Sequence, residues 1–268
     1  MSTWFNIAMG NLKIPALTPP GSTHDWYKRR GLVADWFAAQ KPDVMMTVET
    51  GSPTQARWYE SALALKGHTM KIVLNGGKVA GFNRYIWRNP ATTSVVASGL
   101  VLLDHSYNGD KKECVWAVLT VKGRNALFVC GHLENEGPES NRVAQANDIV
   151  RQVIAVQQAK HGINWNHTFW YMDCNSHHEV QDEILAGPAH DMKNGADYRS
   201  GTGYKSQTDW KPRTAPGRLV VAPNNLSMDV FYSGPQRRAV SYRQADTYRV
   251  NNLNLTDHEL ISVKVRTL

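Results

Sequence analysis

Apolar runs along this chain repeatedly end on a residue that can bind a cation or move a proton. The endings are Asn11, Glu49, His132, Asp173 with Asn175, Asp229, and Asp257 with His258. One Asp or Asn after a strand is ordinarily a turn residue, because its short side chain hydrogen-bonds its own backbone. A lone His there is ordinarily a surface group. Repetition across one chain points instead to a shared purpose. Carboxylates with an amide and no thiolate make a hard, oxygen-rich set, which suits Mg²⁺, or Mn²⁺ in its place, rather than zinc. A His beside an Asp is an oriented imidazole that can stabilise or protonate a phosphate oxygen. Phosphoryl transfer uses both, a cation to offset charge and a placed water as nucleophile.

The elements that must position these residues are legible in outline. Residues 3–10 read as a strand running into Asn11, and DVMMTV at 43–48 as a short strand ending at Glu49. Between them, residues 25–39 carry Trp26, Leu32, Val33, Trp36 and Phe37 at helical spacing, with Thr23 or Asp25 as the cap. A second helix is expected over 54–66, then a hairpin turning at Asn75-Gly76-Gly77. RYIW, SVVASGLVLLD, CVWAVLTV and ALFVCGH read as strands, the last two joined at Lys122-Gly123-Arg124-Asn125. Residues 140–159 form the clearest helix, with Val143, Ala146, Val150, Val153, Ile154 and Gln157 on one face. HTFWYMDCN, MDVFYSG and ELISVKV are further strands, and residues 187–224 show no period. No linker divides the series, so one domain is expected over residues 1–268.

Composition narrows the class. The chain is 42% hydrophobic and 20% charged, which excludes a disordered polymer. Three cysteines, Cys114, Cys130 and Cys174, sit in or beside apolar runs with no CxxC pair, so neither a disulfide framework nor a Cys-rich zinc site is expected. The formal charge of +7 suits a polyanionic partner. No apolar run has the length of a membrane span, and the start MSTWFNIAMG lacks the pattern of a secretory signal. A cytoplasmic monomer without membrane insertion is expected, and nothing in the sequence identifies a protein partner.

The ordered set of motifs resembles the endonuclease/exonuclease/phosphatase superfamily, the deoxyribonuclease-like fold. The matching pieces are the strand ending in Asn11, KPDVMMTVE, LFVCGHLE, ESNRVAQA, WYMDCN, MDVFYSG and LTDHELISV, in the family's order over nearly the whole chain. The resemblance implies an α/β (α+β) four-layer sandwich: two packed mixed β-sheets with helices outside and the site at one end. It implies Glu49 as the main metal-binding acid, with Asn11 and Asp257 near the metal. It implies His132 against the scissile phosphate, Asp173 orienting or deprotonating the attacking water, Asn175 on a phosphate oxygen, and Asp229 as partner of His258. Val48 stands where the family usually has Gln, Gly131 where Thr is common, and Met172 where Gly is usual.

Basic and aromatic residues interleave in DWYKRR (25–30), NRYIWRN (83–89), the 204–218 segment and QRRAVSYRQADTYR (236–249). Cations pair with phosphates and aromatic planes stack on exposed bases. DWYKRR is read as the solvated face of a helix. Arg84 and Tyr85, and Tyr204, Lys205, Trp210, Lys211, Arg213 and Arg218, are read as substrate contacts. His177 and His178 are loop residues, and Arg142 and Gln145 are scaffold. The leading expectation is a Mg²⁺-dependent phosphodiesterase, foremost a nuclease acting on DNA or RNA. The alternative is a phosphatase or phosphodiesterase acting on a phospholipid, a phosphoinositide or a nucleotide-like small molecule. A binding module that has lost the chemistry is disfavoured, because every acid and histidine is kept.

Overall fold

The computed structural model describes residues 4–18, 20–22, 24–74, 83–176, 193–194, 229–233, 239–244, 256, 258 and 260–266, with the backbone alone for 17, 193–194, 229–233, 239–244 and 266. One mixed sheet contains β1 (Trp4–Asn11), β2 (Val44–Val48), β3 (Lys71–Ile72), β4 (Tyr85–Arg88), β11 (Ala239–Gln244) and β12 (Ile261–Arg266), in the order β11-β12-β1-β2-β4-β3. The other contains β5 (Thr93–Tyr107), β6 (Asp110–Val121), β7 (Arg124–His132), β8 (Thr168–Asp173), β9 (Lys193–Asn194) and β10 (Asp229–Ser233), in the order β5-β6-β7-β8-β10-β9. Helices α1 (Trp26–Gln40) and α2 (Pro53–Leu65) cover the first sheet. Helices α3 (Glu139–Asp148) and α4 (Ala155–His161), joined by a π-helical stretch at Ile149–Ile154, cover the second. This is the four-layer α/β sandwich that the resemblance implies.

The central strands read as unbroken apolar runs because both of their faces are buried. Phe5, Ile7 and Met9 of β1, Val44, Met46 and Val48 of β2, Phe128 and Cys130 of β7, and Phe169 and Tyr171 of β8 fill the space between the sheets. Their alternating neighbours face the helices: Ala8 and Met45 under α1 and α2, Leu127, Val129, Trp170 and Met172 under α3 and α4. Period-two alternation therefore sorts two apolar sets into two cores. All three cysteines are free and buried, and burial pushes the Cys114 thiol up to about 12, which leaves it without thiolate chemistry.

Local signals set the ends. Asp25 caps α1 by accepting from Tyr27 N, and Ser52 with Gln55 forms a capping box on α2. Two-residue turns at Asn108-Gly109 and Lys122-Gly123, all four residues at positive φ, join β5 to β6 and β6 to β7, as right-twisted hairpins require.

One expectation is corrected, and two strand pairings are added. Ile72 pairs with Trp87, and Lys71 with Arg88, so β3 pairs with β4; the turn expected at Asn75-Gly76-Gly77 is not among the described residues. The segment 239–244 is an edge strand beside β12, although its interleaved charges carry no clear strand signal. DWYKRR is not simply a solvated face: Lys28 is exposed, but Arg29 is fully buried, and Arg30 stacks 4.4 Å from the Trp58 ring and 4.6 Å from that of Trp26. A guanidinium can be buried there because backbone carbonyls satisfy it, which no sequence period reports. Among the described residues, no helix is long and apolar enough to cross a membrane.

Candidate active site

The polar endings converge because of strand register. Each sheet has a parallel pair, β1 beside β2 and β7 beside β8, so their carboxyl ends open on the same edge. Asn11 is level with Val48, immediately before Glu49, and His132 is level with Asp173. β10 runs antiparallel to β8 and brings the backbone of Asp229 opposite Asp173. His258 comes from the segment before β12 and is buried.

Asn11 is the hub. Fully buried, it donates from Nδ2 to Glu49 Oε1 at 2.8 Å and to Asp173 Oδ2 at 2.8 Å, and its Oδ1 accepts from Lys13 N at 2.9 Å. The backbone donor fixes the amide's orientation, so the NH₂ group, not the oxygen, faces the carboxylates. Asn11 thus clamps the two acids together. Glu49 Oε2 also accepts from Ile14 N at 3.2 Å. Asp173 Oδ1 accepts from Asn175 N at 3.0 Å, and Asn175 Nδ2 donates to Leu133 O at 2.9 Å. Glu49, Asn175 and Lys13 all have φ near +50, a left-handed conformation that non-glycine residues hold only where the surroundings enforce it.

His132 Nε2 lies 3.7 Å from Asp173 Oδ2 and 4.0 Å from Glu49 Oε1, and His258 Nδ1 lies 3.9 Å from Asp173 Oδ2. Burial pushes the His132 imidazole down to about 4; Asp173 opposes this, while Arg84 and His258 add to it. The ring is therefore neutral at pH 7. Gly131, just before His132, lets the π-helical stretch pack closely on β7: a Cβ there would come 3.2 Å from Ile149 Cδ1.

Arg84 and Tyr85, read as substrate contacts, face inward. Tyr85 is buried and donates to Gly51 O at 3.1 Å, just past Glu49. Arg84 is buried, donates to His132 O at 3.3 Å and lies 3.8 Å from Glu113. Tyr85 lies in the core under α1 and α2, while Arg84 reaches toward β6 and β7 of the other sheet. Arg142 and Gln145 are buried and tie down the loop after His132: Arg142 Nε donates to Glu134 O at 2.8 Å, and Gln145 Oε1 accepts from Glu134 N at 2.9 Å. Glu134, which sequence reasoning passed over, is itself buried and accepts from Asn135 N and Glu136 N. The spacing of Arg142 and Gln145 on one helix face was the available signal.

Glu49, His132 and Asp173 each offer a donor atom within 4.8 Å of the others. Two clustered carboxylates with an imidazole and no thiolate fit a hard divalent cation. Asp257, Tyr204, Lys205, Trp210, Lys211, Arg213, Arg218, His177 and His178 lie outside the described residues, as does the Asp229 side chain.

By sequence, no protein-family profile and no curated protein matches the chain. By structure it is similar to an endonuclease/exonuclease/phosphatase family protein from Bacteroides thetaiotaomicron, with TM-score 0.76 and 16% identity, covering 100% of this chain and 99% of that one. It is also similar to a mannosyl-6-phosphatase from Bacteroides thetaiotaomicron, with TM-score 0.73 and 16% identity over 97% and 99% of the two chains. A third similar structure is D. rerio TDP2 complexed with a single-strand DNA product, with TM-score 0.69 and 14% identity over 99% and 100%. Likeness over whole chains at such low identity is a statement about architecture, and it agrees with the sheet order and the edge where the polar endings meet: this chain has the endonuclease/exonuclease/phosphatase fold.

Proposed function

We propose that the protein is a divalent-metal-dependent phosphoester hydrolase, with nucleic-acid phosphodiesters as its leading substrate class. The observation that carries this reading is convergence: Asn11, Glu49, His132, Asp173 and His258 come from five separate segments and meet at one sheet edge. Glu49 and Asp173 would hold a Mg²⁺ or Mn²⁺ ion, which would offset phosphate charge and acidify a water. Asp173, fixed by Asn11 Nδ2 and Asn175 N, is positioned to take that water's proton. Neutral His132 offers a hydrogen bond to a phosphate oxygen without adding charge. His258, beside Asp173, serves the charge that develops on the phosphate.

The net charge of +7 and the DNA-bound structural neighbour support nucleic acid. The mannosyl-6-phosphatase neighbour supports a second reading, a phosphatase acting on a small phosphomonoester. The deciding experiment incubates the protein with plasmid, single-stranded DNA, RNA, a phosphoinositide, a sugar phosphate and a chromogenic diester, in Mg²⁺, Mn²⁺ or EDTA. Nucleic-acid cleavage with either cation and none in EDTA is the expected outcome. Full turnover in EDTA would refute the metal mechanism. Phosphate release from the small esters with nucleic acid left intact would transfer the function to the second reading.

A further inference from the structure

We propose that Arg29 is a positioning residue for the metal-binding end of the site, acting through the backbone of residues 12–14 on Asn11 and Glu49. The inference rests on the reading of that site given above.

Arg29 sits in the first turn of α1 and is fully buried. Its Nε donates to His24 O at 2.9 Å, its Nη1 to Leu12 O at 2.7 Å, and its Nη2 to Lys13 O. Two of these carbonyls belong to particular peptide units. The unit with the Leu12 carbonyl carries the Lys13 N–H, which donates to Asn11 Oδ1. The unit with the Lys13 carbonyl carries the Ile14 N–H, which donates to Glu49 Oε2. In a trans peptide the C=O and N–H point in opposite directions. The guanidinium therefore grips one side of the strap while Asn11 and Glu49 take the other.

Three physical consequences follow. The planar fork fixes the orientation of both peptide planes at once, which a single ammonium cannot do. A cation on the carbonyl side polarises each peptide and strengthens the N–H bond at its far end. Lys13 at φ 51 is strained, so the strap holds its shape only while both sides are engaged. Asn11 then clamps Glu49 to Asp173 only as well as the strap holds the Asn11 amide in orientation.

The test uses Arg29→Lys, which keeps the charge and loses the fork. Amide exchange at Lys13 and Ile14 should accelerate, and Mn²⁺ affinity, read by calorimetry, should weaken about 10- to 100-fold, the usual loss when a partner behind a ligand is removed. Turnover number should fall with it while KM changes little. Val153→Ala, in the separate core beneath α3 and α4, supplies a destabilised control. If Val153→Ala weakens Mn²⁺ binding as much at a matched loss of Tm, the effect is one of stability and the proposal is overturned. It is also overturned if Arg29→Lys binds Mn²⁺ like wild type. Should Arg29→Lys fail to fold, exchange in the wild type decides: slow Lys13 and Ile14 amides support the strap, and free-peptide rates overturn it. A protein with the Arg29 effect that hydrolyses no phosphoester would refute the proposed reaction and leave the strap standing. One that binds no Mn²⁺ refutes both.

Discussion

Asn11→Asp is the smallest change that attacks the organisation of the site. It keeps the side chain's shape and replaces the NH₂ that bridges Glu49 and Asp173 by an oxygen. Each lost bond is charge-assisted and worth about 1.5–3 kcal/mol, so losing both removes about 3–6 kcal/mol from the metal-free protein. At roughly 2–4 °C per kcal/mol for a chain of this size, Tm should fall by roughly 6–24 °C. The introduced carboxyl also faces two carboxylates, which raises its proton affinity in the folded state. The folded variant then binds more protons than the unfolded one, so its deficit against wild type grows as pH rises and shrinks in acid. Calorimetric melting of both proteins in EDTA at pH 5.5 and pH 8, repeated with excess Mn²⁺, measures all of this. The expected result is a large deficit at pH 8, a smaller one at pH 5.5, and substantial closure by the cation. Equal melting at pH 8 in EDTA would refute the bridging role of Asn11, and a deficit untouched by Mn²⁺ would refute a cation site between the carboxylates.

Other consequences are as concrete. The His132 imidazole drops from an unfolded value of 6.5 to about 4, so between these values the unfolded chain holds a proton that the folded one does not. Metal-free stability should therefore fall by about 3 kcal/mol as pH drops through that window. His132→Gln should flatten the decline, and an unchanged profile would show that His132 is not its source. Asp173→Asn and His258→Ala should each lower turnover by about 10²- to 10⁴-fold with circular dichroism near wild type, and normal rates in either would overturn its role. If the 204–218 segment meets nucleic acid, replacing Lys205, Lys211, Arg213 and Arg218 by Ala should reduce the salt slope of duplex binding by about 0.9 log unit per lost contact. Lys28→Ala with Arg30→Ala should do much less, and equal slopes for both variants would remove the segment from the interface.

Much of the architecture was legible because it is local. Strand runs, the Asp25 cap, the Lys122-Gly123 turn and the helical face of 140–159 each follow from residues near one another in the chain. Less was legible where a distant partner decides. The pairing of β3 with β4 is made across residues 73–84, so no turn dipeptide announces it. The edge strand β11 gains its conformation from β12, against a sequence of interleaved charges.

The same division runs through the site. The sequence alone determined which residue types end the strands and that their set, rich in carboxylates and free of thiolates, is suited to a hard cation. That much needs only side-chain chemistry and apolar patterning. Tertiary structure alone decided what these residues do to one another. It turned the Asn11 NH₂ toward two acids, buried Tyr85 and Arg84 behind Glu49 and His132, and sank Arg29 beneath the strap at residues 12–14. Orientation and burial depend on partners that are far away in the chain, and strand period or charge pattern carries no record of them. That is why an arginine with the sequence signature of a solvated helix face can stand behind the site.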